Sequence, residues 1–160
     1  MFFYYNYESI FLKIKIEENG NLIYITEIDF IKKPGKNFII KNHQLKKFIN
    51  TIYDYFDAYF YHKRTIKPPL FRLKGTNFQK TIWKTLTKIP LGKFISYQEL
   101  GILAGYNIHY ARAIGNACNK NPIPIIVPCH RVIGKNHQLI GFAGGIEIKK
   151  WLLEHEGCKI

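Results

Sequence analysis

Between residues 9 and 17 the chain alternates: Ile10, Leu12, Ile14 and Ile16 are apolar and most of their neighbours polar. A period of two marks a half-buried strand, because successive side chains leave the backbone on opposite faces. Glu18-Asn19-Gly20-Asn21 supplies turn chemistry before LIYITEI, so the two runs are expected to form a β-hairpin. From Gln44 to Tyr61 the rhythm becomes helical: Leu45, Phe48, Ile49, Ile52, Phe56, Tyr59 and Phe60 recur every three or four residues, with Lys46, Lys47, Asn50 and Asp54 between them. That pattern predicts an amphipathic helix covering the sheet. HKRTIKPPLF then breaks it with charges and two prolines, which predicts a linker near residues 62–72 and two domains, 1–67 and 68–160.

Beyond the linker the pattern stays helical. Thr76 followed three residues later by Gln79 is a capping box for a helix carrying Phe78, Ile82, Trp83 and Leu86, which stops before Pro90-Leu91-Gly92. Ser96 and Glu99 repeat the device for YQELGILA, closed by Gly105. Gly105-Tyr106-Asn107 then leads into HYARAIGNACNK, ended at Asn121-Pro122 because the residue before proline is pushed out of the helical region. Two short helices joined by a short glycine-containing turn form a helix-turn-helix pattern. A last helix is expected from Ile146 to Glu156, burying Trp151, Leu152 and Leu153, with Gly157 as its cap. The overall class is α+β, without internal repeats or low-complexity tracts.

Composition narrows the function. With 47% apolar and 16% aromatic residues the chain can bury a core, and no run approaches the 18 apolar residues of a membrane span. The N-terminus has no basic region, apolar stretch and cleavage site in series, so the default location is cytoplasmic, or nuclear in a eukaryote. The net charge is +13. It is uneven: residues 1–67 carry 11 Lys+Arg against 7 Asp+Glu, and residues 68–160 carry 13 against 4. A surplus of that size favours a polyanion, whose counterions are released on binding. A lysine-rich composition bias would produce the same count. Cys118, Cys129 and Cys158 fit neither a secreted disulfide framework nor a paired-cysteine zinc site, so at least one thiol is expected to be free, and with no cysteine before them a thiolate metal site in the N-terminal part is excluded; no metal or other cofactor is expected.

The reactive candidate lies in NKNPIPIIVPCHRVI. An apolar run, Ile125 to Val127, sits between Pro124 and Pro128 and delivers Cys129-His130-Arg131 where an extended element is expected to give way to a turn. A free thiol titrates near about 8.5, so it needs a base, a cation or a helix N-terminus to act as a nucleophile at neutral pH. His130 and Arg131 can supply these, although adjacent side chains seldom point the same way, which favours a bridging water between Cys129 and His130. Spacing alone leaves a structural buried cysteine and a nucleophile equally open.

With these residues in view, the chain from about residue 72 to 160 resembles the methylated-DNA–protein-cysteine methyltransferase family, the alkylguanine-DNA alkyltransferases. The resemblance centres on Pro128-Cys129-His130-Arg131-Val132 and extends through FQKTIWKTLTKIPLGKFISYQELG, ARAIGNACNKNPIPIIVPCHRVIG and GFAGGIEIKKWLLEHEG. It implies a small α/β, ribonuclease H-like N-terminal domain and a mainly helical C-terminal domain holding the helix-turn-helix and the active-site loop. It further implies that Cys129 accepts the alkyl group, His130 draws off its proton through water and Glu156 orients the imidazole. Tyr97 would press on the phosphate beside the target nucleotide, Arg112 would replace the extruded base in the stack, and Asn121 would be the hinge between recognition helix and active site. Gln98 and Arg131 would add DNA contacts, while Val127, Phe142 and Ala143 would line the pocket for the flipped base.

The partner so implied is double-stranded DNA containing alkylated guanine, entered from the minor groove, with little sequence preference and strong salt dependence. No protein partner is inferred. Small residues at Gly101, Gly105, Ala111 and Ala113 are expected to keep the helix pair slim against DNA. Two features depart from some relatives. Phe142-Ala143 stands where they carry tyrosine and serine, which predicts tolerance of bulkier alkyl groups, and one extra residue separates Gly105 from Arg112. A lesion-binding protein without transfer activity and a helix-turn-helix regulator are the alternative readings. The former kind lacks the acceptor cysteine, and the latter has no use for a proline-bounded cysteine loop.

Overall fold

A computed structural model describes every residue except Phe38 and Thr65; Thr65, within the expected linker, therefore lies outside the described residues. The chain divides into two compact units, Met1–Leu73 and Lys74–Ile160. Residues 70–72 belong with the first because Ile25 donates to the Leu70 carbonyl and accepts from the Arg72 amide, both at 2.9 Å.

The first unit is an antiparallel sheet in the order β1 (Phe2–Tyr7), β2 (Ile10–Asn19), β3 (Leu22–Ile31), with one helix, α1 (His43–Phe60). Ile10, Leu12, Ile14 and Ile16 are all buried, as their alternation requires, and Gly20 with φ +60° opens the two-residue hairpin turn. β1 was not anticipated. Its signal was the alternation of Phe3 and Tyr5, both buried, inside a run of aromatic residues that masks the period. Asn42 caps α1 through its side chain, and Tyr5 packs on Phe56 and Phe60 while its hydroxyl donates to Asp57 at 2.6 Å.

The second unit holds α2 (Asn77–Leu86), α3 (Tyr97–Leu103), α4 (Ala111–Asn119) and α5 (Ile146–His155). Both capping boxes form, Thr76 with Gln79 and Ser96 with Glu99. Strand β4 (Ile95–Ser96) pairs in parallel with β5 (Val132–Ile133), tying the start of α3 to the segment that follows Cys129. Trp83, 1% exposed, anchors the core, and its indole N–H donates to the Ala117 carbonyl at 2.9 Å.

Two expectations need correction here. The expected recognition helix begins at Ala111, not His109, because Ile108–Tyr110 forms a separate 3-10 turn. Gly101 does not face outward for DNA: a Cβ there would lie 2.7 Å from Ile114 Cδ1, so the small residue serves the packing of α3 on α4. Among the described residues no helix is long and apolar enough to cross a membrane.

Candidate active site around Cys129

The segment before Cys129 is a compact turn and not the extended element expected. Val127 N–H donates to the Ile123 carbonyl at 2.9 Å, and Ile125 adopts φ +73°, a conformation that β-branched residues rarely take. Asn121 staples this turn. Its Nδ2 donates to the Val127 carbonyl at 2.7 Å and to Cys129 Sγ at 3.1 Å, and its Oδ1 accepts from the Ile123 amide at 3.1 Å. One amide thus sets both the backbone and the sulfur.

Cys129 starts a short 3-10 turn, Cys129–Arg131, whose three side chains are all buried. Burial pushes the thiol up to about 11, against the pull of the Asn121 hydrogen bond, the Lys149 charge and the local backbone amides. At rest the group is therefore a thiol. His130, the next residue, is wholly buried, with Nε2 2.7 Å from Glu156 Oε1 and Nδ1 without a hydrogen-bond partner among the described residues. Burial lowers its pKa, although the Glu156 hydrogen bond and charge oppose the shift, so the imidazole is neutral near pH 7 and able to accept a proton.

Glu156 caps α5, where Gly157 with φ +82° turns the chain away. Burial alone would raise its carboxyl; the hydrogen bonds and charges of His130 and Arg131 outweigh that and hold it at about 2. Arg131 requires a correction. It was expected at the DNA, but it is 4% exposed, with Nε and an Nη bonded to Glu156 at 2.8 and 3.0 Å and the other Nη bonded to the Ile89 carbonyl at 2.6 Å. It fixes the carboxylate that faces His130, and its burial turns it away from an approaching phosphate.

Tyr97 is 8% exposed, and its hydroxyl donates to the Ile140 carbonyl at 3.1 Å. Contact with a phosphate would require that bond to open. Lys149, which nothing in the sequence singles out, is fully buried. Its ammonium donates to the Ile140 carbonyl at 2.8 Å and approaches the Tyr97 hydroxyl at 3.5 Å. Burial lowers it to about 8, and nearby Cys129 and Cys118 pull the other way. The available signal was a lysine at a position of α5 bracketed by apolar residues, which resembles any amphipathic face.

The other expected residues are more dispersed. Val127 is wholly buried, Phe142 is half-buried with its ring 6.5 Å from that of His130, and Ala143 is exposed. Gln98 and Arg112 are exposed on the first turns of α3 and α4 and border a cleft of about 670 Å³ that Tyr97 also lines. Cys118 and Cys158 are free buried thiols. No group of three metal-ligating side chains occurs among the described residues.

Comparison with known proteins places this geometry. Residues 77–158 match the family described as 6-O-methylguanine DNA methyltransferase, DNA binding domain. A methylated-DNA–protein-cysteine methyltransferase of Methanosarcina barkeri is 41% identical over 143 residues, 86% of this chain and 87% of that one. The protein of that name from Shigella flexneri is 52% identical over 83 residues, 52% of this chain and 48% of its own. The crystal structure of the Mycobacterium tuberculosis O6-methylguanine methyltransferase superposes with a TM-score of 0.76 at 31% identity, covering 97% of this chain and 91% of that one. The OGT of the same organism, in complex with DNA, superposes with a TM-score of 0.72 at 34% identity, covering 90% and 86%. On sequence and fold together, this chain belongs to the methylated-DNA–protein-cysteine methyltransferase family.

Proposed function

We propose that the protein repairs DNA by moving the alkyl group of 6-O-alkylguanine, and of 4-O-alkylthymine, onto Cys129 in a single irreversible turnover. The observation that carries this reading is the thiol held by Asn121 directly before a wholly buried His130–Glu156–Arg131 chain. The lesion oxygen lies inside the duplex, so the base is extruded at a cost of a few kcal/mol, least where pairing is already poor. Arg112, exposed on α4, is long and planar enough to take the vacated place in the stack, and Gln98 on α3 borders the same cleft.

The chemistry needs a base more than a cofactor. His130 Nδ1 takes the thiol proton through one water while Glu156, kept ionised by Arg131, stabilises the imidazolium that forms. The sulfur attacks the alkyl carbon, an S–C bond forms, the C–O bond breaks and its electron pair stays on guanine. In the balance the thiol proton ends on the base. Lys149, buried with Tyr97, supplies the positive field that favours both the thiolate and the departing base. Val127, Phe142 and Ala143 line the space for base and alkyl group, and Phe142 gives apolar contact in place of a hydroxyl. Benzyl lesions should therefore be repaired faster, relative to methyl lesions, than in relatives with tyrosine there. The proposed setting is cytoplasmic or nuclear, where reducing conditions keep the three thiols free.

Duplex DNA carrying radiolabelled 6-O-methylguanine tests the reading. One label per protein molecule is expected, and Cys129→Ser should stop transfer while sparing binding. Binding without any labelled protein would leave a lesion-recognition protein in its place.

A further inference from the structure

The cleft beside the acceptor has one wall without a role. The first turns of α3 and α4 build one side, with Gln98 and Arg112; the turn Lys135–His137 builds the other. Cys129 does not line this space, so it lies next to the reacting centre and not within it. The turn is unusual in its backbone: Asn136 (φ 56°, ψ 37°) and His137 (φ 60°) are both left-handed. Asn and His tolerate that region better than most residues, yet for any residue with a Cβ it is a disfavoured conformation. Two in succession reverse the chain and leave Lys135, Asn136 and His137 exposed at the rim.

The reversal is braced. Gly134 N–H donates to the Gln138 carbonyl at 2.7 Å, and the His137 ring meets Phe94 edge-on at 5.4 Å. A Cβ on Gly134 would lie 3.1 Å from both that carbonyl and Ile140 Cδ1. Each side of the cleft carries a cation, Arg112 on one and Lys135 on the other. Its one acid, Glu99, accepts from the Ser96 amide at 2.7 Å and so is turned into the start of α3.

We infer that the Lys135–His137 turn is a second jaw that grips the sugar-phosphate backbone of the duplex across the cleft from Arg112. Lys135 provides the charge, and Asn136 and His137 provide hydrogen bonds to phosphate or sugar. The inference rests on the reading above only in taking DNA as the partner, and it does not depend on alkyl transfer.

The test uses the full chain and an undamaged fluorescent duplex, with affinity measured by anisotropy over a range of salt. Lys135→Ala should weaken binding about three- to tenfold and flatten the log–log salt dependence by about one, the mark of one lost phosphate contact. Lys135→Glu should weaken it further, and Lys150→Ala, at an exposed position of α5, should leave the slope unchanged. Alkyl transfer from the free base 6-O-benzylguanine, which carries no phosphate, should proceed at the parent rate in Lys135→Ala. Unchanged affinity and slope in both Lys135 variants would overturn the jaw, as would a parallel loss of transfer from the free base. A parent that takes no alkyl group from any donor, while Lys135→Ala still flattens the slope, would sink the transfer reading and leave the jaw standing.

Discussion

Glu156 faces an imidazole and a guanidinium in a dry setting, and the ionised form is therefore the one the fold selects. A carboxyl lowered to about 2 contributes stability above its ordinary value near 4.5, and that contribution fades as the pH falls from there towards 2. Glu156→Gln should cost on the order of 3 kcal/mol at pH 7, because it also leaves Arg131 buried without its counter-ion. Urea denaturation at pH 7 and pH 3 checks this, the deficit shrinking at the lower pH. Lys149 behaves oppositely. Its amine is lowered to about 8, so burial of the charge opposes folding below that pH and the penalty fades above it. Lys149→Met should therefore raise the melting temperature at pH 7 more than at pH 10, yet slow alkyl transfer. The parent's transfer rate should decline above about pH 8 as the ammonium loses its proton, and that decline should vanish in Lys149→Met. The family resemblance pointed to Cys129, His130, Glu156 and Asn121 together, and the fold brings them together: Asn121 bonds to Cys129 and Glu156 to His130. Lys149 and the true position of Arg131 were not, since burial of a cation depends on partners from distant segments, Tyr97 and Ile140 for one, Glu156 and Ile89 for the other.

At the level of elements, local chemistry declared most of the boundaries. Thr76 with Gln79 and Ser96 with Glu99 mark the starts of α2 and α3, and Gly157 the exit from α5. The failures share a cause, namely competition between local preference and packing. Ile125-Ile126-Val127 has the composition of a strand, but Asn121 and Ile123 draw it into a turn and force Ile125 to φ +73°. The expected start of the recognition helix at His109 gave way to a 3-10 turn, with Asn107 capping through its side chain. Gly101 shows the same dependence on a neighbour. Gly101→Ala should be mild, because Ile114 Cδ1 is the end of a side chain and can rotate, whereas Gly101→Leu should cost about 1–3 kcal/mol by prising α3 from α4. Thermal melts of the two variants decide the point, and comparable losses would mean that backbone freedom matters more than space.

Over the whole molecule the positive charge is concentrated after residue 67, in the part that carries the helix-turn-helix. Duplex affinity should accordingly fall steeply with salt and vary little with sequence, which a titration on unrelated duplexes at two ionic strengths will show. The burial of all three thiols has a consequence for the single turnover proposed above. A sulfur that is covered, its pKa pushed up by burial, holds far less thiolate at neutral pH than an ordinary cysteine. Small electrophiles such as iodoacetamide should thus leave native Cys129 intact for long periods and consume it rapidly once the chain is unfolded. Under the proposed mechanism, the same concealment that makes the nucleophile sluggish in isolation would preserve a single turnover for damage delivered by an extruded base.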